Sequence, residues 1–216
     1  MSVDLPSSLA ETDAAGVLEW AAHTYGDGLV VTASFEDPVL VHLVSVHAPV
    51  ASIVLLDTQY LFPETWAFVS ELRDRLGITV RVQEPLADVV PDDQWKSDVN
   101  GCCARRKVEP LNRSLQGASA WVTGLRRVDG PTRVGTPVVE FDERRSIVKI
   151  NPLAAWSDED MDAYVARHAL PVNPLVARGY ASIGCWPCTR PVAPGEDRRA
   201  GRWSGSEKTE CGLHLR

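Results

Sequence analysis

Short apolar runs alternate with helical patterns along the first two thirds of the chain. Runs rich in β-branched residues predict strands over 28–34, 52–57, 78–82, 120–124 and 147–150. Helix-start signals, such as a proline at the first helical position or a capping box, predict helices over 13–23, 37–46, 63–76, 105–115 and 157–168. The first two strands are almost entirely apolar, which is typical of a sheet covered on both faces.

This alternation predicts an α/β fold with a doubly wound, mainly parallel sheet. After Pro171 the alternation of predicted strands and helices ends, because glycine and proline recur too often for regular structure. We therefore predict a nucleotide-binding α/β domain over residues 1–170 and a loop-rich C-terminal extension over residues 171–216. An extension of this kind needs something to fasten it to the domain.

Composition narrows the possible partners. The chain has 216 residues and a net charge of -7, from 29 acidic and 22 basic side chains. This balance argues against a nucleic-acid-binding surface or a polybasic membrane patch. No apolar run approaches the roughly 20 residues of a membrane span. The first residues lack the features of a secretory signal, so we expect a cytoplasmic protein with reduced thiols.

The cysteines fall into two pairs and a single residue. Cys102 and Cys103 are adjacent, Cys185 and Cys188 form a Cys-x-x-Cys motif, and Cys211 stands alone near the end. Two pairs in one chain indicate a four-thiolate metal centre, either zinc or an iron-sulfur cluster. Because zinc sites usually separate paired ligands by two to four residues, the adjacent pair favours the cluster. Such a centre would fasten the extension to the domain.

Anion-binding groups follow the predicted strands. In open α/β sheets the ligand lies beyond the carboxyl ends of the strands. The loops at 34–37, 57–58 and 123–127 fall there, and the last combines Gly124 with Arg126 and Arg127. Clusters of arginine in an acidic chain suggest a pocket for a small polyanion, since a guanidinium matches phosphate or sulfate oxygens in pairs.

The lone Cys211 lies in a chemical context that differs from that of the other cysteines. Lys208 and His214 are close in sequence and favour the thiolate, whereas Glu210 opposes it. A terminal segment that reaches the sheet edge would bring this thiolate to a bound anion. We therefore interpret Cys211 as a redox nucleophile.

Several segments together resemble one family. They are Cys102-Cys103 with 106–111, then 179–190, 195–197, 201–203 and 210–214, supported by 56–58, 62–65, 123–127 and 151–153. In combination they closely resemble the assimilatory adenylyl-sulfate (APS) reductases of the APS/PAPS reductase family, from about residue 28 to the end. The resemblance implies an adenine-nucleotide α-hydrolase-like fold.

The resemblance also implies an activity and a set of site residues. The family reduces APS to sulfite and AMP with electrons from thioredoxin; Cys211, with His214 beside it, would attack the sulfur and form an S-sulfocysteine. A [4Fe-4S] cluster would be bound by Cys102, Cys103, Cys185 and Cys188. The implied substrate-binding residues are Ser34, Phe35, Asp57, Thr58 and Gly124 for the nucleotide and Lys107, Arg133, Arg199 and Arg202 for the phosphosulfate, with Arg126 and Arg127 as further candidates.

Two alternatives remain open at this point. A reductase for 3'-phosphoadenylyl sulfate (PAPS) shares the fold and the tail cysteine, although such enzymes generally lack the two cysteine pairs. A zinc-stapled nucleotide-binding or thiolation protein on the same fold is the second. Many relatives have a longer, glycine-containing loop where this chain has 34–37. The sequence is compatible with a monomer or a homo-oligomer.

Overall fold

A mainly parallel sheet forms the centre of the protein in the computed structural model, which describes residues 4–204, 208–210 and 212–214. Within those residues the sheet has six strands in the order β3-β2-β1-β4-β6-β5. The strands are β1 (Leu29–Thr32), β2 (Ser52–Leu56), β3 (Val80–Gln83), β4 (Ala120–Val122), β5 (Val139–Asp142) and β6 (Ile147–Ile150). All pairs are parallel except β5 with β6. The predicted doubly wound, mainly parallel fold is confirmed.

The five predicted helices are present, with two differences around the adjacent cysteines, of which one is an additional short helix over Gln94–Ser97. They are α1 (Ala14–Tyr25), α2 (Val39–His47), α3 (Pro63–Leu76), α4 (Gln94–Ser97), α5 (Val99–Cys103), α6 (Glu109–Ser114) and α7 (Asp158–Arg167). A π-helical turn over Ala104–Val108 joins α5 to α6. The helix predicted over 105–115 therefore begins earlier, at Val99, and includes both cysteines.

Helix ends match the capping signals in the sequence. The Asp13 side chain accepts a hydrogen bond from the backbone of Gly16, and Pro63 occupies the first turn of α3. Ser157 and Asp160 form a reciprocal capping box at the start of α7. Such caps pair backbone N–H groups that the first turn of a helix leaves without partners.

Apolar packing covers both faces of the sheet. Buried residues of α1, α2 and α3, among them Leu18, Leu43 and Phe68, pack on one face. Leu111 of α6 and Trp121 of β4 belong to a second cluster on the other face. The chain winds from β1 to β2 and β3 in one direction and to β4 and β6 in the other, so the carboxyl ends of β1 and β4 border the crevice where such sheets bind ligands.

The C-terminal extension lies over this carboxyl edge. Cys185 forms an antiparallel bridge with Leu61, just after β2, and the buried Asn173 side chain donates to the Phe35 carbonyl at 3.1 Å. A boundary near residue 170 remains a prediction. No helix among the described residues has the length and apolar character to span a bilayer.

Candidate active site

A cavity of about 200 Å³ opens at the carboxyl ends of the central strands. Loops after β1 and β4, the start of α3 and the C-terminal extension contribute its walls. Of the predicted site residues, the lining includes Ser34, Phe35, Thr58, Lys107, Gly124, Arg126, Arg133, Arg199, Arg202 and His214. The fold thus collects side chains that are far apart in the sequence around one space.

The remaining two predicted substrate residues have other contacts. The Asp57 carboxylate accepts a hydrogen bond from the backbone of Gln59 at 2.7 Å, as in a tight turn after a strand. The Arg127 side chain donates to the Thr136 carbonyl and pairs with Glu11. Neither residue lines the cavity, and their binding roles remain predictions.

Three of the five described non-glycine residues with a left-handed backbone lie at the cavity or next to a residue that lines it. Phe35 has a φ of 55° and Trp203 a φ of 48°, and both line the cavity. Gln59, next to the cavity residue Thr58, has a φ of 64°. Left-handed conformations are costly for residues other than glycine and persist where the surroundings enforce them, often at functional sites.

Arginines on the cavity wall are held by carboxylates. Arg126 donates to Asp158 at 2.7 Å and to Asp129 at 2.8 Å, and Arg133 pairs with Asp129 at 3.3 Å. Arg202 lies over the Trp203 ring at 4.7 Å. These contacts fix the guanidinium groups before any ligand arrives, which is the arrangement that electrostatic catalysis requires.

Buried polar atoms without partners converge on the same cavity. Among the described residues, five buried side-chain N or O atoms lack a hydrogen-bond partner. Four of them line this cavity, namely Thr65 Oγ1, Arg126 Nη1, Arg202 Nε and His214 Nδ1, whereas the fifth, Arg106 Nε, does not. Because a buried unpaired polar atom costs about 1–3 kcal/mol, this concentration indicates a space built to receive a polar ligand.

The His214 imidazole is neutral in this environment. Its ring stacks on Trp121 with centroids 5.5 Å apart and planes 13° apart. Burial lowers the pKa of His214 well below its ordinary value, and the nearby positive charges of Lys149 and Arg133 lower it further. A neutral imidazole at the cavity can donate or accept a proton through its ring nitrogens.

Asp37, at the start of α2, carries a perturbed carboxyl group on the cavity wall. Burial and the neighbouring Glu36 raise the pKa of Asp37 to about 6, although its hydrogen bond from the Val39 backbone opposes the rise. Between pH about 4 and about 6, the folded protein therefore keeps a proton on Asp37 that the unfolded chain has released.

We expect the Asp37 carboxyl group to lower the free energy of unfolding as pH rises from about 4 to about 6. A folded-state pKa above the unfolded value means that the folded state binds more protons in this window. Asp37→Asn should flatten this part of the profile of unfolding free energy, measured by urea denaturation at several pH values. Asp74→Asn, on the exposed surface of α3, is the matched control. Equal profiles for the wild type and Asp37→Asn would contradict the assignment.

The four paired cysteines line a second, small cavity beside the first. Cys102, Cys103 and Cys185 are buried and Cys188 is half-buried. The first pair ends α5, and the second pair flanks a 3-10 turn (Trp186–Cys188) in the extension. Both pairs line the same cavity. The structure thus brings together the two cysteine pairs that the sequence predicts as ligands of one centre.

Burial favours the protonated form of two of these thiols, those of Cys102 and Cys188. It raises the pKa of Cys102 and raises that of Cys188 to about 11, and the neighbouring thiols add to both shifts. Among the described residues, no group of three or more His, Cys, Asp or Glu side chains is arranged to hold a metal ion. The donor chemistry nevertheless fits a thiolate-bound centre, because a bound cation supplies the charge that stabilises the thiolates and displaces their protons.

Lys107, in the π-helical turn, connects the two cavities. It lines both, as do Thr58, Cys185 and Trp203. Its positive charge acts to lower the pKa of Cys188. A single cation therefore faces the thiols on one side and the arginine-lined space on the other.

The sequence prediction did not include several side chains of the site. The Arg106 side chain is 1% exposed, donates to the Val90 carbonyl at 2.6 Å and lies over the Tyr60 ring at 4.7 Å, beside the thiols. Thr65 and Asp37 line the larger cavity. Each of the three lies in a segment noted in the sequence, Asp37 in the loop 34–37, Thr65 in 62–65 and Arg106 in 106–111, but none was predicted as a site residue. Cys211 itself lies outside the described residues.

The fold and the cavity together define a doubly wound α/β nucleotide-binding protein with an arginine-lined site for an anion. Solved structures with the same fold include FMN adenylyltransferase from Candida glabrata, at 13% identity and a TM-score of 0.60, covering 88% of this chain and 69% of that one. A phosphoadenylyl-sulfate (PAPS) reductase from Candida auris, solved as a phosphate complex, is more similar. It has a TM-score of 0.74 and 28% identity, covering 88% of this chain and 100% of that one.

Sequence comparisons give the particular family. Residues 28–191 match the model for the phosphoadenosine phosphosulfate reductase domain. An adenosine 5'-phosphosulfate reductase from Streptomyces coelicolor is 48% identical over 95% of this chain and 90% of its own length. A relative of the same name from Mycobacterium tuberculosis is 42% identical over 95% of this chain and 91% of its own length. The chain belongs to the phosphoadenosine phosphosulfate reductase domain family, which confirms the resemblance seen in its motifs.

Proposed function

We propose that this chain is an oxidoreductase that reduces adenylyl sulfate to sulfite and AMP in sulfate assimilation. The relatives described above carry the name of this activity. One structural observation carries the proposal furthest. The residues around Cys211 reach the arginine-lined cavity, since Glu210 pairs with Arg133 and His214 lines the cavity wall. Glu210 and His214 therefore bring the described chain on both sides of Cys211 to the proposed phosphosulfate site.

Substrate binding uses the two kinds of surface that the cavity offers. Phe35, Leu40 and Leu153 supply apolar contacts suited to a nucleoside, and Gly124 lets the ligand approach the backbone. Arg133, Arg199 and Arg202 provide charge for the phosphosulfate. The orphaned Nε of Arg202 and Nη1 of Arg126 gain acceptors when an anion binds.

The chemical step is attack of the Cys211 thiolate on the sulfur of adenylyl sulfate. A bond forms between the two sulfurs, and the bond from sulfur to the bridging oxygen breaks, so AMP leaves with its electron pair. Negative charge grows on the leaving phosphate, and the fixed guanidinium groups stabilise it. The product on the enzyme is an S-sulfocysteine.

A dithiol donor of the thioredoxin type completes the cycle. Its thiolate attacks the Cys211 sulfur, a mixed disulfide forms, and sulfite departs; the second donor thiol then frees the enzyme. The electrons arrive as thiols, and the donor becomes a disulfide. A reduced dithiol donor is compatible with the cytoplasmic location that we propose for this chain.

We further propose that Cys102, Cys103, Cys185 and Cys188 hold a [4Fe-4S] cluster. Four thiols around one small cavity support this proposal. Four cysteine thiolates are the usual ligand set of such a cluster. When bound, such a cluster would cross-link the extension to the domain. Lys107 and Arg106, both lining that cavity, offset the negative charge of its thiolates.

A PAPS reductase is the second candidate, favoured by the fold match to the Candida auris enzyme. PAPS carries an additional phosphate, and Glu36 and Asp37 line the cavity that would receive it. Like charges in one site disfavour the wrong ligand. We therefore expect kcat/KM for APS to exceed that for PAPS by about 100-fold or more, measured as sulfite release with a thioredoxin system. A higher kcat/KM for PAPS than for APS would show that the chain is a PAPS reductase and would contradict the proposed activity.

A further inference from the structure

Glu210, next to Cys211, makes ion pairs with two arginines of the cavity. Its two carboxylate oxygens accept hydrogen bonds from Arg133 Nε at 2.8 Å and Nη2 at 2.9 Å. The Thr132 hydroxyl donates to the same carboxylate at 3.0 Å, and Arg199 Nη2 lies 3.5 Å from it. This is a bidentate, nearly enclosed arrangement, because the Glu210 and Arg133 side chains are only 11% and 13% exposed.

The carboxylate is charged in this position. Burial acts to raise the pKa of Glu210, but the hydrogen bond and charge of Arg133 outweigh it and hold the pKa below its ordinary value. A planar anion with two oxygens on one guanidinium has the geometry with which arginine also binds sulfate and phosphate. Glu210 therefore occupies the place of an oxyanion ligand.

A carboxylate and a phosphosulfate cannot use these groups at the same time. An anion that binds Arg133 through the Nε and Nη2 side of its guanidinium needs the same two donors that Glu210 holds. Two anions on one guanidinium fork would also repel each other at short range in a partly desolvated site. Binding of one requires release of the other.

We propose that Thr132, Arg133 and Arg199 form an oxyanion subsite that the Glu210 carboxylate fills in the free protein and that the substrate phosphosulfate takes over by displacing it. The proposal rests on the proposed function and adds a built-in competitor and a further binding residue, Thr132. Glu210 thereby holds the arginines in place between turnovers and weakens the apparent affinity for every oxyanion.

Residues 212–214, after Cys211, have contacts that do not depend on whether Glu210 or a ligand occupies the arginines. Leu213 packs against the apolar cluster on the second face of the sheet, and His214 stacks on Trp121. These contacts do not involve the oxyanion donors. The segment therefore has an anchor on the C-terminal side of Cys211 while Glu210, on its N-terminal side, exchanges with the ligand.

The test compares Glu210→Gln with Glu196→Gln. Glu196 forms the same kind of bidentate pair, with Arg190 at 2.9 and 3.1 Å, but neither residue lines the cavity. Inorganic sulfate is the binding probe, measured by calorimetry on the full-length protein without turnover, and KM for APS is measured in parallel. Thermal unfolding of each variant checks that it is folded, and Glu210→Ala serves as a second variant.

We expect Glu210→Gln to bind sulfate about tenfold more tightly and to lower KM for APS by a similar factor, because the fraction of protein with a vacant subsite rises. Thr132→Val should weaken sulfate binding in the Glu210→Gln background. Glu196→Gln should match the wild type in both measurements. Unchanged sulfate affinity and KM in both Glu210 variants, or a lower kcat at constant KM, overturn the proposal. A wild type that does not reduce APS overturns the proposed function instead, and the sulfate measurement still decides this one.

Discussion

Cys211→Ser should reduce sulfite release from adenylyl sulfate by about 10³-fold or more, because removal of a nucleophile leaves no equivalent route to the covalent intermediate. A serine hydroxyl is not ionised near neutral pH and forms no bond that a thiol donor can reduce. The assay is sulfite formation with excess dithiol donor. AMP binding should remain, since the nucleotide surfaces lie elsewhere in the cavity.

The matched control for that variant is Thr209→Ala. Thr209 is exposed, and its recorded contact to Arg199 uses the backbone carbonyl rather than the side chain. It tests whether any change in the tail disturbs turnover. If Cys211→Ser turned over at a rate near that of the wild type, the nucleophile would have to be another group.

Cys185→Ser should prevent binding of the proposed cluster and destabilise the protein. Cys185 is buried, bridges Leu61 and lies 3.2 Å from the Thr58 hydroxyl, so it joins the extension to the strand edge and lines both cavities. Loss of a metal ligand costs folding free energy because the unfolded chain has no preformed site. We expect anaerobically purified wild type to be brown and the variant to be colourless, with a lower Tm.

Iron and acid-labile sulfide, measured on the same samples, decide the identity of the centre. Wild type and Cys211→Ser should contain both elements, whereas Cys185→Ser should lack them. The two cysteine variants are therefore reciprocal controls, since each keeps the property that the other loses. Zinc without sulfide in the wild type would remove the cluster and favour a zinc-stapled protein.

The sequence was most informative where one residue type serves one physical purpose. Apolar runs predicted the central strands, and Pro63 and Ser157 predicted helix starts that the structure confirms. The β5 strand (Val139–Asp142) was missed because it is a short edge strand with only two apolar residues. The π-helical turn after Cys103 leaves no periodic signal in five residues.

Site residues could be predicted only when a motif carried them. Arg133, Arg199 and Arg202 belong to the resemblance, and the structure places them on one cavity. Thr65 lies in the 62–65 segment of the resemblance but was not predicted as a site residue, because its importance comes from an unpartnered, buried hydroxyl that depends on tertiary packing. Glu210 was interpreted only as a charge unfavourable to the thiolate, whereas its contacts with Arg133 depend on how the tail folds back.

The most direct measurement is mass spectrometry of the protein after incubation with adenylyl sulfate in the absence of any reductant. The account predicts one added sulfonate group, located on the terminal peptide that contains Cys211, with an equal amount of AMP released. A sulfonate on any other peptide, or AMP release without a modified protein, would contradict it.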